Sequence, residues 1–334
     1  MIENALHLRR NAMDQMVRMM GVGGVDQLEV VSREPEPPGP GEVRIRHEAI
    51  GVNFIDVYHR TGLYPISLPA VPGVEGAGIV EAVGAGVTDI AAGDRVAYAG
   101  APVGAYAATR LLPRQRVILL PNDISLRVAA ASMLKGLTAH MLLTRTYPVG
   151  AESTVLIHAA AGGLGVILVR WAKHLGATVI GTAGSAEKAH IAKMQGADHV
   201  VVGRDADIVS EVAALTGGQG VDFAIDGIGG SMLAKTLACV RSFGTVASIR
   251  QAAGPIPPLS VDQLSVRSLS LARPSIMAYS GDVNTYSAAS KALIAAMRAG
   301  VVAEIGGEYS LSEAATAQLD LEGGRTSGSL LLIP

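Results

Sequence analysis

The sequence predicts an α/β protein of two parts: a β-rich domain of short strands and a doubly wound, parallel-sheet domain of the Rossmann type. Three observations predict it. A glycine-rich turn stands between a strand pattern and a helix pattern within Ser153–Lys188 (STVLIHAAAGGLGVILVRWAKHLGATVIGTAGSAEK). From Ser153 onward, strand patterns alternate with helix patterns, the signature of a parallel sheet with crossover helices. Before Leu126, short strands follow one another across glycine turns, which suits a barrel-like β domain.

Residues 1 to about 14 read as an extension, with Met13 or Met16 as an alternative start. Val17–Val31 reads as a hairpin turning around Gly21–Gly24. The run Glu34–Gly41 holds four prolines and two glycines and reads as a rigid surface connection. EVRIRHEA then alternates, with Val43, Ile45, His47 and Ala49 on one side and Arg44, Arg46 and Glu48 on the other. Period two is the mark of a half-buried strand. GAGIVEAVGAGV and GDRVAYAG continue the short strands.

The pattern changes at Leu126, and Leu126–Tyr147 reads as helical. Strands are expected at Thr154–His158, Ala177–Gly181, His199–Val202, Val221–Ile225 and Thr245–Ile249, with helices centred on Ile167, Ile191, Val212 and Leu237. Leu269–Ile276 reads as a last strand of this region and Ser287–Ala299 as a further helix. The terminal SLLLIP reads as a strand that returns to the first domain.

The chain has 334 residues, 49% of them hydrophobic, enough for two cored domains. A net charge of −2 carries no footprint for nucleic acid or an anionic membrane. No apolar run reaches the roughly 18 residues of a membrane span. The N-terminus lacks the apolar core of a secretory signal. The single cysteine, Cys239, excludes an intrachain disulfide and a multi-cysteine zinc site, and it fits a reducing cytoplasm.

The turn carries the chemistry. Ala159–Gly165 is expected to be tight, with Gly162, Gly163 and Gly165 letting a pyrophosphate approach the backbone, and Val166–Leu175 to be the helix behind it. A helix N-terminus offers free N–H groups and a positive dipole end to that phosphate. Sites for NAD carry Asp or Glu about 20 residues on, for the ribose 2′-hydroxyl. Here Gly181–Ser185 holds no acid and Lys188 follows, which reads as a site for NADPH. Lys188 suits a 2′-phosphate as a point charge, helped by Ser185 and by Arg204 after the third strand. The alternatives are a tight turn of another α/β protein and an exposed helix lysine. Asn53, Tyr58 and Tyr64 put polar groups into an apolar passage, where a structural role is the alternative to a site. His47, His59, His140, His158 and His174 show no metal-type spacing, and His158 reads as a satisfied core histidine. No G-x-S-x-G elbow supports serine hydrolase chemistry.

Taken in order, GVNFIDVYHRTGLYP, VPGVEGAGIVEAVG, AGDRVAY, LKGLTAHMLL, HAAAGGLG, GTAGSAEK, ARPSI and the terminal LLIP give a chain that resembles the zeta-crystallin-type quinone oxidoreductases. These are the zinc-free side of the medium-chain dehydrogenase/reductase superfamily. The resemblance covers about Val17 to Pro334 and is nearest to bacterial NADPH:quinone reductases. It implies a GroES-like β domain over 1–138 and 277–334, with a Rossmann NADPH-binding domain over 139–276.

Zinc-dependent relatives place a cysteine where this chain has Asn53, and a histidine where it has Val74 before Glu75. Without those ligands no catalytic zinc is expected. The chemistry implied is reduction of quinones, with α,β-unsaturated carbonyls or enoyl thioesters as the alternative acceptors. A non-catalytic NADPH-binding protein is the third reading. By resemblance Asn53 and Tyr58 line the nicotinamide end of a cleft with Phe54 beside them, Thr138 lies near the cofactor, and Tyr64 gates the entrance. Gly163, Leu164, Gly165 and Val166 match the phosphate turn, with Gly162 at its start, and Gly184, Ser185 and Lys188 match the 2′-phosphate site. The chain departs from the family at three places. Gly203 stands for a tyrosine, with Arg204 next to it. Ser248-Ile249-Arg250-Gln251 stands for a glycine-containing turn, where Ile249 and Gln251 are the cofactor contacts expected. Gly324 stands for an arginine, with Arg325 adjacent. The partners implied are a small-molecule quinone or enone and a second copy of the chain, paired through the Rossmann edge strand Leu269–Arg273. Neither nucleic acid nor a membrane is expected as a partner.

Overall fold

The computed structural model describes residues 13–334. The expected extension at residues 1–12 lies outside the described residues. The chain forms two compact units. One holds the chain up to Leu134 with Ser280–Ser290 and Glu304–Pro334, and the other holds Lys135–Tyr279 with Lys291–Ala303.

In the first unit the hairpin pairs β1 (Asp14–Met19) with β2 (Leu28–Arg33), antiparallel, Val17 facing Val30. It begins three residues earlier than the hydrophobic pattern suggests. The reason is Asp14, a buried acid held by the Thr109 hydroxyl and by Arg46 at 3.1 Å. The larger sheet is built from β3 (Glu42–Val52), β4 (Glu75–Val83), β5 (Arg95–Ala99), β6 (Thr109–Pro113) and β7 (Ile118–Leu119), completed by β14 (Ile305–Ser310) and β15 (Ser329–Ile333). Its order is β14-β15-β3-β4-β5-β7, with β6 also on β3. The alternation read in β3 is realised: Val43, Ile45, His47 and Ala49 are buried and Arg44, Arg46 and Glu48 are not. Val43, Ile45, Tyr98, Tyr106, Leu112, Leu330 and Leu332 share one core, so the C-terminal strand does return to this unit.

The second unit holds six parallel strands: β8 (Thr154–Ile157), β9 (Thr178–Ala183), β10 (His199–Val202), β11 (Val221–Asp226), β12 (Val240–Ser248) and β13 (Ser270–Ala272). Their order is β10-β9-β8-β11-β12-β13, the doubly wound arrangement with its reversal point between β8 and β11. Helices Gly163–His174, Ala186–Met194, Ile208–Leu215 and Met232–Cys239 connect the strands as the alternation predicts. Leu156, Ile180, Val212, Ala224, Leu237 and Val246 lie in its core.

Several boundaries move. The Leu126–Tyr147 helix is α-helical over Leu126–His140 and widens to π over Met141–Thr146. Strand β13 is only three residues, because Pro274 has no N–H for a ladder and Ser275 already accepts from Ala278 N–H at 3.3 Å to open the Ile276–Gly281 helix. No helix among the described residues is long and apolar enough to cross a membrane.

Candidate active site

The dinucleotide turn follows β8 directly. Ala159 sits at φ 51°, a left-handed conformation uncommon outside glycine, and turns the chain back toward the sheet. Gly162 is extended (φ −79°, ψ 168°) and caps the next helix, which starts at Gly163 rather than Val166 because Val166 N–H already reaches Gly162 O at 2.9 Å. A Cβ on Gly165 would stand 2.3 Å from Ala159 O, so only glycine lets the helix pack this close to the turn. Gly181, across the strand, has the same reason: its Cβ would meet that of Ala160 at 2.8 Å. Leu164 and Val166 are buried under the turn, leaving the backbone N–H groups of the first helical turn as the groups an anion meets.

Gly184, Ser185, Lys188 and Arg204 gather at the neighbouring strand ends. Ser185 caps the Ala186–Met194 helix, its Oγ accepting from Lys188 N–H at 3.3 Å. Gly184 is exposed, and a Cβ there would stand 3.5 Å from Arg204 Cγ, so the Arg204 stem lies over it. Gly203 adopts φ 114°, which a tyrosine would take only under strain. An exposed Glu187 lies in the first turn of this helix beside Lys188.

Beyond β12, Ile249 N–H donates to Asp226 O at 2.8 Å. The Ile249–Gln251 segment packs against the loop after β11, where a Cβ on Gly229 (φ 70°) would meet Gln251 Cα at 2.8 Å. Asp226 organises that loop. It is fully buried, and its Oδ1 accepts from Ile228 N–H at 2.7 Å and Gly229 N–H at 3.0 Å.

In the first unit, Asn53 is the N-cap of the Phe54–Arg60 helix and is buried. Its backbone N–H donates to Asp56 Oδ2 at 2.9 Å, and its Nδ2 donates to Glu75 Oε1 at 2.7 Å. Glu75 Oε2 accepts from Leu134 N–H at 2.6 Å. Phe54, Tyr58 and Tyr64 form an aromatic series, with ring centroids 6.2 Å and 5.3 Å apart and the two tyrosines edge to face. Tyr64 N–H closes the loop onto Tyr58 O at 3.0 Å. Arg60 ties the far end of this helix to Gln318 Oε1 (2.7 Å) and Gly23 O (2.6 Å). Thr138 lies half-buried on the Leu126–His140 helix, in the part that belongs to the second unit. Arg325, exposed, is paired with Asp320 at 2.8 Å, and Asp320 also accepts from Tyr309 OH.

Asn53 spends its amide on Glu75, and Val74 is a fully buried aliphatic. Among the described residues no group of three or more His, Cys, Asp and Glu is placed to hold a metal ion. His47, on β3, is held between Ala107 O at 2.6 Å and Tyr98 OH at 2.7 Å. A carbonyl only accepts, so Nδ1 carries the proton and Nε2 accepts from the tyrosine. Burial drives the His47 pKa down to about 3.

Residues 39–122 match the family model described as the alcohol dehydrogenase GroES-like domain, and residues 163–295 match the one described as zinc-binding dehydrogenase. A quinone oxidoreductase of Pseudomonas aeruginosa is 40% identical over 325 residues, 96% of this chain and all of that one. The chain belongs to the quinone oxidoreductase family of the medium-chain dehydrogenase/reductase superfamily. Within this family it is also similar to a 2-haloacrylate reductase of a Burkholderia species, 43% identical over 93% of this chain and 96% of that one. The structure of Escherichia coli quinone oxidoreductase complexed with NADPH superposes with a TM-score of 0.91 at 39% identity, covering 96% of this chain and all of the other.

The sequence pointed to Asn53, Phe54, Tyr58 and Tyr64 as one group and to Gly162–Val166, Gly184, Ser185, Lys188 and Arg204 as another. The fold gathers each group within its own unit. What it passed over are Glu75, which orients Asn53, and Thr182, whose hydroxyl accepts from Ala159 N–H at 3.3 Å. A threonine at a strand end gives no such signal in one sequence.

Proposed function

We propose that this chain is an NADPH-dependent quinone oxidoreductase that works without a metal. The observation that carries the reading is the pair of features at the ends of β8 and β9. One is a turn that only glycine at 165 permits, opening a helix N-terminus. The other is a capped helix start bearing Ser185 and Lys188, with the Arg204 stem over Gly184. The first suits a pyrophosphate and the second a 2′-phosphate. The family relative solved with NADPH supports the same cofactor.

Bound there, NADPH supplies a hydride. The chain's own part is to bind and orient. The N–H groups of Gly163, Leu164 and Gly165, within the Gly162–Val166 turn, hold the diphosphate, and Ser185, Lys188 and Arg204 hold the 2′-phosphate, with Arg325 as a further candidate cation. Ile249 and Gln251 shape the loop beyond β12, and Thr138 borders the cofactor. Phe54, Tyr58 and Tyr64 give a flat acceptor an aromatic wall, and Asn53 is fixed by Glu75 as a positioning amide. A quinone is already electron-poor and places the arriving charge on a distant oxygen. Positioning and one hydrogen bond to that oxygen therefore supply most of what the reaction needs.

A second reading is reduction of α,β-unsaturated carbonyl compounds. The 43% identity to a 2-haloacrylate reductase favours it. Oxidation of NADPH and NADH, followed with a matched quinone and enone, separates the two.

We also propose a homodimer joined at β13, in a cytoplasmic enzyme. Strand β13 ends its sheet, and Leu271 on it is exposed. Light scattering on the purified chain tests this: a monomer at micromolar concentration contradicts it.

A further inference from the structure

A line of hydrogen bonds runs behind the dinucleotide turn, and its direction is set at the end where it meets the Met232 carbonyl. Ala159 N–H donates to Thr182 Oγ1 at 3.3 Å. Thr182 Oγ1 lies 3.2 Å from His158 Nδ1, and His158 Nε2 lies 2.8 Å from Thr236 Oγ1. The Thr236 hydroxyl donates to Met232 O at 3.0 Å. A carbonyl only accepts, so the Thr236 hydrogen is committed there and its oxygen must accept from His158 Nε2–H. A neutral imidazole has one N–H. Nδ1 is therefore the acceptor, and the Thr182 hydroxyl points at it. That leaves a Thr182 lone pair for Ala159 N–H.

The line ends at the residue that shapes the turn. Ala159 is held in a left-handed conformation that alanine disfavours, and its carbonyl accepts from Gly162 N–H at 2.9 Å. The same carbonyl is the atom that forbids a side chain at Gly165. His158 is almost fully buried, and Thr236 is fully so. The line sits at the reversal point of the sheet, between β8 and β11. Asp226, at the end of β11, is the charged group beside His158. Burial holds the imidazole pKa below its usual value, while the Asp226 charge works the other way.

We propose that His158 is a positioning residue for the dinucleotide site: as the Nε2–H tautomer it holds the Thr182 hydroxyl turned so that its free lone pair fixes Ala159 N–H, and with it the shape of the phosphate turn. The inference rests on the reading that this turn binds NADPH. Losing the acceptor at Nδ1 frees the Thr182 hydroxyl to turn, and the turn loses its tether. Losing the donor at Nε2 leaves the tether in place.

Two substitutions separate those halves. His158→Asn sets a carbonyl oxygen near the place of Nδ1 and keeps the acceptor. His158→Gln sets an amide N–H near the place of Nε2 and keeps only the donor. NADPH affinity is measured by fluorescence titration on the full chain, with KM and kcat for one quinone and the melting temperature alongside. The expected result is a Kd and KM for NADPH raised about tenfold in His158→Gln, the scale of one lost buried hydrogen bond, with kcat at saturation little changed. His158→Asn is expected to stay within about threefold of the parent, at a similar melting temperature. Equal weakening in both variants, or none in His158→Gln, overturns the proposal. A parent chain that binds no NADPH overturns the functional reading instead. The 15N shifts of His158, read without cofactor, test the tautomer by themselves: a protonated Nδ1 contradicts the line of bonds.

Discussion

Asn53 donates from Nδ2 to Glu75 Oε1 at 2.7 Å, and both residues are buried. A cysteine's place in the zinc-dependent relatives is thus taken here by an amide whose orientation a carboxylate fixes. Asn53→Asp would set a second carboxylate against Glu75. It is expected to lower stability by on the order of 1–3 kcal/mol, more than Asn53→Ala at pH 8. Urea unfolding midpoints at pH 8 measure this. Equal midpoints for the two variants at pH 8 contradict the contact.

Lys188 and Ser185 stand at one helix start. Lys188→Ala is expected to lower the preference for NADPH over NADH by on the order of 1–3 kcal/mol, from a lost charge-assisted contact. Because Glu187 then remains beside the 2′-phosphate position, Glu187→Gln is expected to shift the preference the other way. The ratio of kcat/KM for the two cofactors reads both. A ratio that Lys188→Ala leaves unchanged removes the residue from the site.

Gly165→Ala brings a Cβ to 2.3 Å from a backbone carbonyl, which no side-chain movement relieves. The turn has to open, at a cost of about 1–3 kcal/mol. NADPH affinity is expected to fall well beyond the loss in melting temperature. By contrast, Gly150→Ala, where a Cβ meets nothing within 4 Å, is expected to change neither.

Burial holds His47 neutral, with its pKa at about 3 against 6.5 for the free side chain. A lowered pKa in the fold means that its stabilising contribution is complete above about pH 6.5. It is lost as the pH falls toward 3, at roughly 1.4 kcal/mol per unit. His47→Asn keeps a donor toward Ala107 O and removes the titration. Between pH 7 and pH 5 its unfolding free energy is expected to fall by roughly 2 kcal/mol less than the parent's. Parallel pH profiles contradict that assignment.

Much of the fold is legible in the sequence because the signals are local. The alternation of Val43, Ile45, His47 and Ala49 needs only the period of a strand, and the strand-helix rhythm after Ser153 needs only composition and spacing. The phosphate turn was legible from its glycines. The start of its helix was not, because Gly163–Gly165 reads as turn until the Ala159 carbonyl is seen to pack against it. The line from Ala159 to Met232 joins residues 73 positions apart along the chain through threonines that carry no sequence signal, and only the sheet brings them together. His158 read as a satisfied core histidine, and both of its ring nitrogens are indeed engaged. Arg325 read as a cofactor contact, and the fold gives it Asp320 as a partner, a pairing of an exposed cation with a half-buried acid that a five-residue spacing does not announce.

The most direct test is a steady-state assay of the purified chain with NADPH and NADH against a panel of small quinones and matched enones, run with and without a chelator. The account predicts NADPH oxidation with at least one quinone, a preference for NADPH over NADH, and no loss of rate on chelation. Failure to oxidise NADPH with any quinone, or a rate that chelation abolishes, would contradict it.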